Sequence, residues 1–218
     1  MKTITVKGVG AVSVKPDLIV LGLKIRAKDY EYDSTMKVAA ERINYLNNSL
    51  EAAGFEKKAA KTTDFRVDTS YRSVKDEKGD YKSVFEGYDC VHRLKIEFDF
   101  DTKRLARVLS EISKCIAKPE ISIDFTVKDP TAVSAELLKA AVKNAREKAE
   151  ILCGASGAKL GELVTIDYNW GELHLYSETD YNVDGKCLMM GAAGIDDMEI
   201  EPEEIKARDT ATFVWEIA

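Results

Sequence analysis

Two alternating runs open the chain. Ile4, Val6, Val12 and Val14 fall on even positions of residues 3–14, with Gly8 and Gly10 between them. A period of two belongs to a strand with one apolar face. Pro16-Asp17 marks a turn, and 18–27, LIVLGLKIRA, reads as a second strand, so the opening predicts a hairpin. The period then lengthens. Met36, Ala39, Ile43, Leu46, Leu50 and Ala53 recur every three or four residues over 34–53, the stripe of an amphipathic helix. Gly54 follows, where a left-handed residue closes a helix.

Strand periodicity returns at 62–72, where Phe65, Val67, Thr69 and Tyr71 share a side. A turn at 75–80, KDEKGD, leads to a long strand within 82–100. There Tyr88, Cys90, His92, Leu94, Ile96, Phe98 and Phe100 make an apolar face, and Asp89, Arg93, Lys95, Glu97 and Asp99 a charged one. Such a strand has one side covered and one wet. Asp101 can cap a helix over 102–117 whose Leu105, Val108, Leu109, Ile112 and Ile116 share a face, before Pro119. A strand at 120–128 carries Ile121, Ile123, Phe125 and Val127.

Asp129-Pro130 then opens a third helix over 131–153. Its stripe of Leu138, Ala141, Val142, Ala145, Ala149 and Leu152 is rich in small residues, which let a helix lie close on a sheet. Gly154 or Gly157 ends it. Strands at 162–170 and 210–217 complete the order, with a connection at 171–209 between them. Hairpins with helices interspersed predict an α+β protein. Its sheets are expected to be mostly antiparallel, with helices packed on one face. The N-terminal lobe is expected at 1–86 and the C-terminal lobe, with the long loop, at 87–218; the last strand is free to pair with the N-terminal lobe.

The bulk numbers narrow the partners. With 218 residues, 45% hydrophobic and 32% charged, the chain resembles an ordinary globular protein. A net charge of −6 and a pI near 5.2 argue against nucleic acid or an anionic membrane as a general partner. No apolar run approaches the roughly 20 residues of a membrane helix, and MKTITVKGVG lacks the apolar core of a signal peptide. The expected location is the cytoplasm. Cys90, Cys115, Cys153 and Cys187 form no CxxC pair and read as reduced, mostly buried thiols.

Candidate chemistry is sparse. A dinucleotide fingerprint needs a third glycine before a helix, but Gly8 and Gly10 are followed by Ser13 and more strand. A bulge or a close backbone approach explains those glycines better. GASGAKLG at 154–161 follows a helix instead of preceding one, so it reads as a helix stop. Asp180, Asn182, Asp184 and Gly185 match the first half of a calcium loop, yet the position of its bidentate Glu is Gly191. The acidic run 196–204 reads as a solvated face. His92 and His174 pair with no nucleophile in a known spacing. Cys90 and His92 share a strand face, and a zinc site there lacks two further ligands.

No catalytic residue, cofactor site or complete metal site is therefore expected. The connection 171–209 remains: Leu173, Leu175, Tyr176, Leu188, Met189, Met190, Ile195 and Met198 sit among its glycines and acids. Apolar residues on a long loop are costly in water. Leu188, Met189 and Met190 are the expected contacts with a neighbouring subunit.

Three segments carry a family likeness. They are Val6 to Asp17 (V-x-G-x-G-x-V-x-V-x-P-D), the helix LLKAAVKNAREKAEILCGASGAKLGELVTI at 137–166, and the closing IEPEEIKARDTATFVWEI at 200–217. In that order the chain resembles the SIMPL-domain family, which includes bacterial periplasmic immunogenic proteins and an oxidative-stress-related protein. The resemblance implies two α/β lobes and assembly into large ring- or channel-like homo-oligomers, and brings no catalytic residues. The expectation is a non-enzymatic homo-oligomeric scaffold or stress-related assembly. The rival is a small-ligand carrier or enzyme with a pocket between the lobes, using Cys90 and His92.

Overall fold

The computed structural model describes residues 2–75, 79–168, 171, 173–179, 181–183 and 201–218. Its elements are β1 (Lys2–Val14), β2 (Leu18–Asp29), α1 (Tyr32–Ala52), β3 (Lys61–Lys75), β4 (Tyr81–Asp99), α2 (Thr102–Ser113), β5 (Glu120–Thr126), α3 (Pro130–Ser156), β6 (Leu160–Asp167), β7 (Tyr181–Val183) and β8 (Ile205–Ile217). They make an α+β fold of two antiparallel sheets with helices. The chain divides into two compact units of interleaved segments. A terminal unit takes Met1–Asp17, Phe125–Glu178 and Pro202–Ala218; a central unit takes Leu18–Asp124 and Thr179–Glu201. Residues 86 and 87, where the sequence suggested a lobe boundary, lie inside β4.

In the terminal unit the sheet order is β1-β8-β6. β1 pairs with β8 without a break from Lys2↔Ile217 to Val14↔Ile205. α3 covers one face, where Val6, Ala145, Ala149, Ala211, Phe213 and Trp215 form one core cluster. A second cluster joins Val133, Leu137, Leu175, Ile205 and Ala207. The glycines of β1 make the helix seat possible. A Cβ on Gly8 would collide with the Ala141 carbonyl oxygen, and one on Gly10 with that of Leu137. Helix backbone rests on strand backbone there, so of the two accounts of these glycines, a bulge or a close approach, the structure has the close approach. Asp129 caps α3 by accepting from Ala132 N–H at 2.9 Å, and Gly157 closes it at φ +74°.

The central sheet runs β3-β4-β2-β5-β7, with α1 packed on β2, β4 and α2. Ile19, Leu21, Leu23 and Ile25 of β2 are buried, as are Leu46 and Leu50 of α1 and Leu105, Val108, Leu109 and Ile112 of α2. Asp101 accepts from the N–H groups of Lys103 and Arg104, the expected cap.

Four expectations change. β1 and β2 are not a hairpin, because they lie in different sheets. Alternation fixes which face a strand buries but not its partner. The Pro16-Asp17 turn is tied elsewhere: Asp17 N–H donates to the Thr126 carbonyl at 3.1 Å, and its Oδ1 accepts from Lys128 N–H at 2.7 Å. α2 ends at Ser113, leaving Ile116 72% exposed. On α3 the buried stripe runs Val133, Leu137, Ala141, Ala145, Ala149, Cys153, while Val142 and Leu152 are exposed. A residue every four drifts around a helix of 3.6 per turn, so a long stripe migrates.

The fourth concerns 171–209, which is not one bare loop. Leu175 is buried in the core of its own chain, Ser177 N–H donates to the Phe125 carbonyl at 2.8 Å, β7 pairs with β5, and β8 begins at Ile205.

Gly10→Ala should destabilise the fold by about 2 kcal/mol, the scale of forcing a methyl into a packed site. Gly154→Ala has nothing within 4 Å of the added carbon and should stabilise α3 by about 0.5–1 kcal/mol. Urea titrations of the two variants against wild type check both.

Candidate functional site

β2 accompanies β4 only from Leu18↔Asp99 to Asp29↔Tyr88. Beyond that point, among the described residues, β3 and β4 continue alone to Lys75↔Tyr81. The result is a two-stranded ribbon running roughly 20 Å past the sheet, at about 3.3 Å per residue. Its base holds a bulge: Ser70 pairs with Gly87 and Tyr71 with Phe85, leaving Glu86 unpaired in the ladder. Gly87 has φ +121°, and a Cβ there would collide with the Asp29 carbonyl oxygen, so only glycine lets β4 pass. Lys28 Nζ pairs with Glu86 at 2.5 Å, and this hydrogen bond and charge hold the Glu86 carboxyl below its ordinary range.

The ribbon is wet on both faces. Residues 71–75 and 81–84 are all exposed, Tyr71, Val74, Tyr81 and Val84 among them, with Tyr81 at 74%. A collar of rings surrounds its base. Phe85 meets Tyr30, Tyr71 and Tyr88 edge-on, and Tyr88 meets Tyr32, with ring centroids 5.4–5.6 Å apart. Tyr30 is nevertheless 68% exposed. Edge-to-face packing stiffens these rings while leaving their outer surfaces uncovered.

The face of the central sheet away from its helices is polar. Gly22 contributes no side chain, and a Cβ there would collide with Ser122 Oγ. Around it lies a trough of about 730 Å³, lined by Lys24, Thr63, Arg93, Lys95, Ser122 and Asp124 among others. Lys24 pairs with Glu120 at 2.7 Å, Arg93 with Asp64 at 3.8 Å and Lys95 with Glu97 at 2.7 Å. These cations are satisfied by neighbouring carboxylates, as on a wet sheet face. The trough has room for a small polar molecule beside Thr63, Ser122 and Asp124.

Cys90 is buried with Ala27 and Ala39 against Val38 and Val67. Burial, then the Asp89 charge, pushes its thiol up, away from the reactive thiolate. His92 is half-buried, its Nε2 2.8 Å from Thr62 Oγ1 and its ring edge-on to Phe65. Burial lowers its pKa. Cys90 is thus a core residue, and His92 a half-buried one held by Thr62 and Phe65.

Cys115 and Cys153 are also buried free thiols. Asn182 lies in β7 opposite Ser122, while Asp180, Asp184, Leu188, Met189 and Met190 lie outside the described residues. Among the described residues no group of three His, Cys, Asp or Glu could hold a metal, and no helix is long and apolar enough to cross a membrane. Sequence reasoning missed the ribbon. Its signal was there, in a β3 and a β4 that outlast β2.

Residues 4–215 match the family model SIMPL, described as a protein of unknown function (DUF541). The chain is 24% identical over 166 residues to an uncharacterized protein, YggE, of Escherichia coli K12, covering 76% of this chain and 65% of that protein. It is also 24% identical over 163 residues to the 26 kDa periplasmic immunogenic protein of Brucella melitensis, covering 75% and 65%. The match thus spans less than two thirds of either relative's length.

Because His92 favours the neutral ring when folded, the unfolded chain binds its proton first. Its contribution to stability is complete above the ordinary value of 6.5 and is lost as pH falls through it toward the lowered folded value. The urea midpoint should therefore drop between about pH 7.5 and about pH 5.5, and His92→Gln should show a smaller drop.

Proposed function

Because the chain belongs to the SIMPL family, whose molecular function is unknown, we propose that it is a non-enzymatic scaffold assembled from copies of itself, with the β3–β4 ribbon as a contact surface. The ribbon carries this reading. An isolated pair of strands is marginal in water, yet this one presents Tyr71, Val74, Tyr81 and Val84 to solvent beside Tyr30 and Tyr32. Tyrosine is enriched where proteins meet, because a rigid ring covers much area at little entropic cost.

Covering these six side chains would remove roughly 700 Å² per copy at typical residue areas, near the ~800 Å² per partner of a standard interface. A second copy suits the surface better than a polyanion, given the overall charge of −6. The absence of chemistry is supported by the buried, raised thiol of Cys90 and by the trough's mutually paired charges. We read the compartment as the cytoplasm on the strength of the free thiols Cys90, Cys115 and Cys153, whereas the Brucella relative is named periplasmic.

Light scattering coupled to size exclusion should give wild type a mass of several chains. Replacing 72–84 by Asn-Gly, a two-residue hairpin turn, should lower that mass while circular dichroism is kept. A monomeric wild type, or an undiminished shortened variant, would count against the reading. Cell fractionation should recover the chain with cytoplasmic markers; recovery with periplasmic ones would correct the compartment.

A further inference from the structure

An edge strand is where one sheet can grow onto another, since its outward N–H and C=O groups have no ladder partner. The terminal sheet has two edges, β1 and β6. β1 is closed by α3: Asn144 Oδ1 accepts from Val9 N–H at 3.0 Å, and Lys148 Nζ donates to the Lys7 carbonyl at 3.2 Å. Among the described residues, a helix seated that close to β1 leaves the opposite margin bare.

β6 is exposed throughout Gly161–Asp167. Leu163 is 47% exposed, Val164 45% and Ile166 54%. Natural edges are usually guarded by lysine, proline or bulges. β6 has neither lysine nor proline. The second of its two register shifts against β8 leaves Val164 without a β8 partner, and Thr165, Ile166 and Asp167 pair regularly with Val214, Phe213 and Thr212. Between β6 and α3 is a cavity of about 480 Å³ lined by Arg146, Glu150, Leu160, Glu162, Leu163 and Trp215, room for an incoming side chain.

We infer that β6 pairs antiparallel with β6 of a second copy across a two-fold axis, joining two terminal sheets into one. The strand is self-complementary about Thr165. In that register Val164 faces Ile166, Thr165 faces Thr165 and Leu163 faces Asp167. β-branched and Thr–Thr pairs are favoured across antiparallel strands, and neither Glu162 nor Asp167 meets another carboxylate. A two-fold contact uses the same patch on both copies, as this pairing requires. The pairing rests on the scaffold reading and adds a contact distinct from the ribbon, so two surfaces per chain are available to build an assembly.

The test combines light scattering of Ile166→Lys with oxidative cross-linking of Thr165→Cys, using Thr5→Cys on exposed β1 as control. Ile166→Lys, an exposed edge position, should keep the melting temperature and at least halve the assembly's mass. Thr165→Cys should form an interchain disulfide roughly tenfold faster than the control, because pairing raises the local thiol concentration. A wild-type assembly whose mass Ile166→Lys leaves unchanged, or a Thr165→Cys chain that links no faster than Thr5→Cys, overturns the β6 pairing and leaves the ribbon reading standing. A wild type that is monomeric at every concentration overturns both. If Ile166→Lys fails to fold, the cross-linking rate decides alone.

Discussion

The terminal unit depends on the backbone-to-backbone seat of α3 on β1. Gly8 and Gly10 meet the carbonyls of Ala141 and Leu137 with no side chain between them, and Ala145 and Ala149 continue the small-residue stripe. So close an approach has two consequences. It brings Asn144 and Lys148 within reach of the outward groups of Val9 and Lys7, sealing one edge of the sheet. It also places the helix over β1 and β8, so that Leu163 and Ile166 of β6 are left in water. Packing at one margin thus decides the exposure of the other.

The central unit spends its residues differently. One sheet face is buried under α1 and α2, and the other is neutralised by ion pairs such as Lys24–Glu120 and Lys95–Glu97. Exposed pairs of this kind contribute little stability but keep an open sheet face wet. Its apolar surplus is concentrated where β3 and β4 outrun β2, on the ribbon and its ring collar. Cys90 and His92, the pair the sequence singled out, serve packing and one hydrogen bond to Thr62.

Much of this was legible from residue order alone. Alternation in β4 named its covered and charged faces, the caps Asp101 and Asp129 marked two helix starts, and the two early glycines were read as a bulge or a close approach and not as a phosphate loop. Each follows from local rules, because side-chain period, capping and the space of a missing Cβ belong to a few consecutive residues. Tertiary structure alone decided which strands pair: β1 with β8 across almost the whole chain, β2 beside β4 and not beside β1, and, among the described residues, β6 at an edge. Pairing joins backbone groups that all residues share, so no local pattern encodes the partner.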